Sequence, residues 1–504
     1  MMEAIDFTPK IGMNIFMIEF DNPKVYYDNY YLHRGNERHF EPEPVSPEQI
    51  LQWKRQCEAE MSKRGLQFHD MGHGWTAEPF GFDTTDGWTR TSSDVPPEKK
   101  KFVAEVNGER IFNNGIPLNT NFCMSNPEAR KKVVDYIAGY ASFATNVDYL
   151  HVWLADGFNN HCECEECKKM IPSEYYLMMM NELDEELTRR KLATRIVFIC
   201  YLDTTWAPEI VKLKNPDRFS LLIAAITRDY TIPVDKNLDV STVKLSEYSR
   251  NKNDFPSDVN EYIAHGQNWA RHCGVHSFVY EYHFWVKSYQ DVGALDFAEV
   301  LYKDVIGYKA NGCNGIVEDG SQRSFFPNGF NFYVYGSTLF DTSVKFEDLL
   351  KDYFSHAYGE DYEKVIDLLR GIGKNFDFKY VAGDMSSKNK SQDWYNPEML
   401  PKLRECKKLL ADFKPFAKGH RVNSQRVQTI AYKLLYRYIE LCEGLCDVYM
   451  LKCAGLDYEA LDKYKDFMYE YGKYESEMLP YYDQWMVYNG YLPSLSKFDP
   501  TIPY

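Results

Sequence analysis

Along the first two thirds of the chain, short apolar runs alternate with longer amphipathic ones. The apolar runs lie at 11–20 (IGMNIFMIEF), 66–72, 148–155, 195–203, 219–227, 275–284 and 313–318, and their length and β-branched or aromatic content predict strands. Between them, 47–64, 126–143, 173–190, 257–272 and 296–310 repeat apolar residues at helical spacing. Two of these open on clear caps, Ser46-Pro47-Glu48 and Ser125-Asn126-Pro127-Glu128. Strands separated by helices pair in parallel through crossover connections. Seven or eight strands over some 340 residues predict an α/β protein, a (β/α)8 TIM-type barrel. No Gly-rich phosphate loop follows an early strand, which disfavours a nucleotide-binding sheet.

Residues 74–122 interrupt this alternation as a long stretch of turn residues, which predicts a functional or mobile insertion. Beyond about residue 345 the strand signal ends, and helical periodicity occupies 346–372, 398–413, 423–454 and 457–482 before a Pro- and Tyr-rich tail. The expected organisation is a barrel over 1–345 and an α-helical C-terminal domain over 346–504. A helical face of that domain is where a homodimer would form, since periodicity does not separate an intramolecular face from an intersubunit one.

Charge and composition narrow the function. A formal net charge of −16 argues against nucleic acid held on a broad basic face. No apolar stretch reaches the ~18 residues of a membrane span, and the first residues lack the basic and apolar regions of a secretory signal. The 12 Cys are too few for a disulfide scaffold and sit mostly singly in apolar runs, as Cys200 and Cys313 do, so a cytoplasmic protein is expected. Aromatic residues reach 16%, a supply of flat faces and hydroxyl tips suited to a carbohydrate partner.

A barrel keeps its chemistry at the C-terminal ends of its strands. There the chain offers His69 to Trp75, Asp156 to Asn160, Asp203 to Trp206, Arg228 to Tyr230, Glu281 to Trp285 and Glu318-Asp319-Gly320. Carboxylates at several strand ends, with rings and amides between them, are what glycoside hydrolysis requires: one acid protonates the leaving oxygen while a second group supports the oxocarbenium-like centre. Glu318 closes an apolar run, where an unpaired acid is costly, and is expected to be the general acid; its structural alternative is an ion pair with Arg323. Glu281, in an aromatic strand, or Asp156, otherwise an Asp-Gly turn residue, would be its partner. His73, Trp75, Asn160, Trp206, Tyr282, His283 and Trp285 are the expected sugar-binding residues, each with a core role as its plain alternative.

The densest polar cluster is His161-Cys162-Glu163-Cys164-Glu165-Glu166-Cys167. Cys162, Cys164 and Cys167 could bind a structural zinc as thiolates or pack as reduced thiols; zinc would need a fourth ligand from elsewhere. Catalysis itself calls for no cofactor.

The run His151-Val-Trp-Leu-Ala-Asp156-Gly, with Asn159-Asn160 and the Cys cluster, continues into Pro172-Ser-Glu-Tyr and Met180-Asn181-Glu182. With Tyr280-Glu281-Tyr282, Gly315-Ile-Val-Glu318 and Tyr358-Gly359, it resembles a bacterial domain-of-unknown-function family classed as glycoside hydrolase family 163, related to hexosaminidase and α-glucuronidase barrels. The resemblance implies endo-β-N-acetylglucosaminidase action on N-glycans, in which the sugar's acetamido oxygen attacks the anomeric carbon. An exo-acting glycosidase on uronic or amino sugars and a non-catalytic glycan-binding barrel are the competing expectations.

Overall fold

A computed structural model describes residues 1–91, 94–320, 323–382 and 395–496. Seven strands form one sheet in sequence order: β1 (Ile15–Ile18), β2 (Gln67–Asp70), β3 (Tyr149–His151), β4 (Arg195–Cys200), β5 (Phe219–Ala224), β6 (Ser277–Phe284) and β7 (Cys313–Gly320). Every neighbouring pair is parallel. The helices before and between the strands are α1 (Met2–Phe7), α2 (Lys24–Tyr31), α3 (Pro47–Lys63), α4 (Pro127–Phe143), α5 (Pro172–Arg189), α6 (Val259–Cys273) and α7 (Asp296–Ala310). Their starts lie where the caps predict: Ser46 accepts from the Gln49 N–H, and Asn126 from those of Glu128 and Ala129.

The sheet curls into a barrel. Rings from β2, β3 and β6 touch although β6 neighbours neither of the others: Phe278 lies 5.9 Å from His69 and 6.2 Å from His151, centroid to centroid. Only the inside of a curled sheet brings such strands together. His69 and His151 share a 2.8 Å hydrogen bond there, and burial pushes the His69 pKa down to about 3, so the lumen floor is uncharged.

Among the described residues there is no eighth strand and no pairing of β7 with β1. That side is closed by α8 (Phe330–Phe340), packed on the turn Thr8–Ile11 ahead of β1. The approach is so close that a Cβ on Gly336 would lie 2.3 Å from the Ile11 carbonyl.

The chain then remains helical: α9 (Phe346–Tyr358), α10 (Tyr362–Asn375), α11 (Phe378–Ala382), α12 (Met399–Gly419), α13 (Arg426–Cys453), α14 (Asp457–Tyr471), α15 (Glu475–Met478) and α16 (Gln484–Tyr491). A second apolar core joins these helices to α7, α8 and the end of β6, from Phe284 to Leu495. No helix among the described residues is long and apolar enough to cross a membrane. The tail at 497–504 lies outside the described residues. The insertion after β2 is not a loose loop: Phe80, Phe82, Phe102, Phe112 and Phe122 bury themselves in the first core.

Candidate active site

Residues from the ends of β1, β3, β4, β6 and β7 and from the connections between strands meet at the C-terminal mouth of the barrel. Glu19 directly follows β1. Its position is fixed from below by α3, whose buried Lys54 bonds the Phe20 carbonyl at 3.0 Å and pairs with Asp70 at 2.8 Å. The Glu19 carboxylate meets His73 Nε2 at 3.2 Å and accepts from the Tyr26 hydroxyl of α2. Burial opposes a charged His73, yet its bond to Glu19 and the nearby Asp156 outweigh this and raise its pKa above the ordinary 6.5.

Asp156 stands beyond β3, its N–H on the Leu118 carbonyl at 3.2 Å. One carboxylate oxygen accepts from Trp88 Nε1 at 2.6 Å, the other from the Tyr201 hydroxyl at 2.8 Å. Trp88 comes from the aromatic insertion and Tyr201 directly follows β4. Next to Tyr201, Leu202 is held at φ 44°, a left-handed backbone costly for a bulky residue and found here beside the site.

Asp319, near the end of β7, completes the cluster. Burial above all, then the charges of Glu19, Asp156 and Glu318, push its pKa well above the carboxylate range. Gly320 beyond it packs against β6 so tightly that a Cβ would lie 2.5 Å from the Phe284 carbonyl. Tyr280 and Tyr282 of β6 line the same mouth; burial and the charge of Asp319 raise both pKa values, keeping the hydroxyls neutral donors. Trp153 forms the floor, 5.1 Å from His73 and 5.3 Å from Tyr280. Its buried indole N–H has no partner among the described residues. The far edge of the indole abuts Gly72, where a Cβ would lie 2.7 Å from the ring.

Of the expected acids, only Asp156 lies in this mouth. Glu281 and Glu318 are register partners in adjacent strands and therefore share a face, the opposite one. There Glu281 is 1% exposed, paired with Arg228 at 2.7 Å and bonded by the hydroxyls of Tyr230 and Tyr308. Glu318 meets His283 Nδ1 at 2.9 Å, and His283 Nε2 meets Asp304 of α7 at 2.9 Å. Arg228 also reaches Asp304, at 2.9 Å. Two cations thus hold three carboxylates between sheet and helix, which places Glu318, the expected general acid, and Glu281 on the face away from the mouth. Nor does Glu318 pair with Arg323, which bonds Glu475 at 2.9 Å and Asp483 at 3.2 Å.

The expected sugar binders divide in the same way. His73 and Tyr282 are in the mouth, and Trp285 is half-buried with its ring 5.9 Å from Tyr282. Trp75 is 1% exposed and donates to the His151 carbonyl; Trp206 is buried and donates to the Ser246 carbonyl. Asn160 is buried between Asn121 and the Asn119 carbonyl, so it buttresses the loop. His283 belongs to the outer charge network. Strand parity fails for the stretch after β2 because Met71 adopts φ 60°, which ends the alternation.

Glu19, Tyr26, Trp88, Tyr201 and Asp319 are functional candidates that sequence reasoning missed. The strand-end rule itself points at Glu19, which closes an apolar run just as Glu318 does, whereas nothing local marks Trp88.

The Cys cluster lies alongside. The fourth sulfur comes from Cys123, and the Sγ atoms of Cys123, Cys162, Cys164 and Cys167 all lie within 4.8 Å of one another. His161 is not in the group; burial first, then Arg250, takes its pKa down to about 3.

Among solved structures, the chain is similar to an O-GlcNAc hydrolase of Thermobaculum terrenum, at 11% identity and TM-score 0.38, over 98% of this chain and 90% of that one. It is also similar to CpGH89 of Clostridium perfringens, solved with GlcNAc-α-1,4-galactose, at 11% identity and TM-score 0.48, over 92% of this chain and 51% of that one. Likeness at this level fixes neither activity nor substrate. No curated protein matches the chain. A family model described as a domain of unknown function, DUF4838, matches residues 51–367, more than half of the sequence. The chain belongs to the DUF4838 family.

Proposed function

We propose that the chain is a glycoside hydrolase, with the mouth of the barrel as its active site and Asp319 as its general acid. The observation that carries this reading is the convergence of Glu19, Asp156 and Asp319 from three strand ends in a ring of aromatic side chains, with the Asp319 pKa raised by burial and by its acidic neighbours. An acid of raised pKa among other carboxylates, facing stacking rings, is the arrangement that cleavage of an acetal needs.

The sugar we assign is a β-linked N-acetylglucosamine in an oligosaccharide, in line with the resemblance to glycoside hydrolase family 163. In the first step Asp319 gives its proton to the glycosidic oxygen as the bond to the anomeric carbon breaks. The substrate's acetamido oxygen closes onto that carbon, while Asp156, oriented by Trp88 and Tyr201, accepts the acetamido N–H. Water then opens the ring and returns its proton to Asp319, with net retention. Glu19 and His73 are placed to hold sugar hydroxyls, and Trp153 offers its free N–H below.

The test is turnover on aryl glycosides and N-glycan oligosaccharides by the native chain and by Asp319→Asn. Release of N-acetylglucosamine is expected. The variant should lose about 10³-fold on a poor leaving group and far less on dinitrophenolate, which needs no protonation. A thiazoline that mimics the acetamido-derived intermediate should inhibit. Cleavage confined to uronides, without thiazoline inhibition, would favour an exo-acting enzyme with two protein carboxylates. Sugar binding without turnover would make the barrel a lectin.

A further inference from the structure

The four clustered thiols lie on two segments far apart in sequence. Cys123 ends a strand-like stretch just ahead of the α4 cap, and Cys162, Cys164 and Cys167 lie on the connection from β3 to α5. We propose that Cys123, Cys162, Cys164 and Cys167 form a tetrathiolate site for a single structural zinc ion, which clamps the connection carrying Asp156 to the aromatic insertion.

Geometry supports one ion rather than a larger centre or a disulfide. Four ligands on zinc at ~2.3 Å set sulfur–sulfur edges of roughly 3.8 Å. Cys123 Sγ is 3.8 Å from Cys164 Sγ and 3.9 Å from Cys167 Sγ. The set fits within 4.8 Å, and all four cysteines are free. A second, independent observation is the dressing of the sulfurs. The backbone N–H of Glu105 points at Cys162 Sγ at 3.3 Å and that of Ser125 at Cys167 Sγ at 3.4 Å, donors that suit charged thiolates. Four thiolates this close repel one another unless a cation sits among them, and soft sulfur donors in a closed set of four favour zinc.

The surrounding backbone is built to hold such a loop. Arg250 bonds the carbonyls of Cys162 at 3.0 Å and Cys167 at 2.8 Å. Glu163 N–H reaches the Glu105 carbonyl at 2.6 Å, and Cys123 N–H the Phe102 carbonyl at 2.7 Å. From Cys123 the chain leads back to Asn121, whose Oδ1 accepts from the Ala155 N–H at 3.3 Å, and to Leu118, whose carbonyl holds Asp156. The metal thus fixes the segment that positions Asp156, and it takes no part in bond cleavage.

The experiment is metal analysis of the full chain purified without chelator, with sulfur coordination read by zinc-edge X-ray absorption. One zinc per chain in an all-sulfur shell is expected. Stripping the metal with a mercurial followed by thiol reductant should lower the melting midpoint by about 5 °C or more, and zinc should restore it. Cys123→Ser should lose the metal, while Cys200→Ser, a buried thiol elsewhere, should keep it. Zinc below about 0.2 per chain, iron in its place, or a shell of nitrogen and oxygen would overturn the proposal. Because metal content is read without substrate, the outcome is separate from that of the hydrolase reading.

Discussion

The two faces of β6 and β7 present acids to opposite environments. Toward the helices, Glu281, Asp304 and Glu318 sit with Arg228 and a His283 whose pKa their charges raise to about 10 against the cost of burial. Toward the lumen, the strongest charges acting on Asp319 belong to other acids, and with burial they raise its pKa. Between the two faces Glu281 and Asp319 are shifted in opposite senses, Glu281 down and Asp319 up. A carboxylate supplied with cations and hydroxyl donors is fixed in one charge state and serves the fold. One deprived of them can give and take a proton near neutrality, which is what chemistry uses. An acid in a buried strand is therefore not by itself a functional sign; the face decides.

The sharpest test of this contrast is substitution of one acid on each face. Asp319→Asn should lower turnover about 10³-fold while leaving the melting midpoint unchanged or higher, since an acid crowded by other carboxylates has been removed. If it instead unfolds the chain, the lumen acid is structural and the contrast collapses. Glu281→Gln should do the reverse. Breaking the buried pair with Arg228 should cost about 3 kcal/mol or more of stability, seen as a lower denaturant midpoint, with the folded protein keeping its turnover within a few-fold. Glu318→Gln should likewise leave turnover within a few-fold.

The faces also differ in how stability answers to pH. The His283 pKa is raised above its unfolded value near 6.5, so its stabilisation is fully present below pH 6.5 and is lost as pH rises through about 10. Melting followed from pH 6 to beyond 10 should show this decline, and His283→Gln should flatten it. Glu281 works at the other end: its pKa is lowered, so its contribution is present above its unfolded value and fades as pH falls through the folded one. A smaller loss than at Asp319 is expected at Trp88→Phe, which removes one donor from Asp156 and should cost about tenfold in turnover, the value of one strong hydrogen bond. Trp206→Phe, in the core, should leave substrate affinity unaltered by comparison.

Much of the architecture follows from local pattern. Strand and helix signals are short-range, set by side-chain periodicity and by caps within four residues, so the seven strands and the helices from α3 to α7 could be placed from residues alone. The location of Asp156, His73 and Tyr282 at the mouth was also legible, because turn and strand-end positions in a barrel have a fixed direction. The closure of the barrel was not, since α8 fills the place of an eighth strand by packing on a turn over 300 residues away.

What the sequence by itself determined is thus the order and type of the elements, the parallel sheet and the end of the barrel where chemistry collects. Tertiary structure alone decided which acids occupy it. A strand buried on both faces carries apolar and polar residues on each, so its pattern does not say whether Glu318 or Asp319 looks inward; the register with β6 does. Trp88 reaches Asp156 across 68 residues and Cys123 reaches Cys167 across 44. Such meetings depend on how distant segments fold back over the mouth, which no local periodicity encodes.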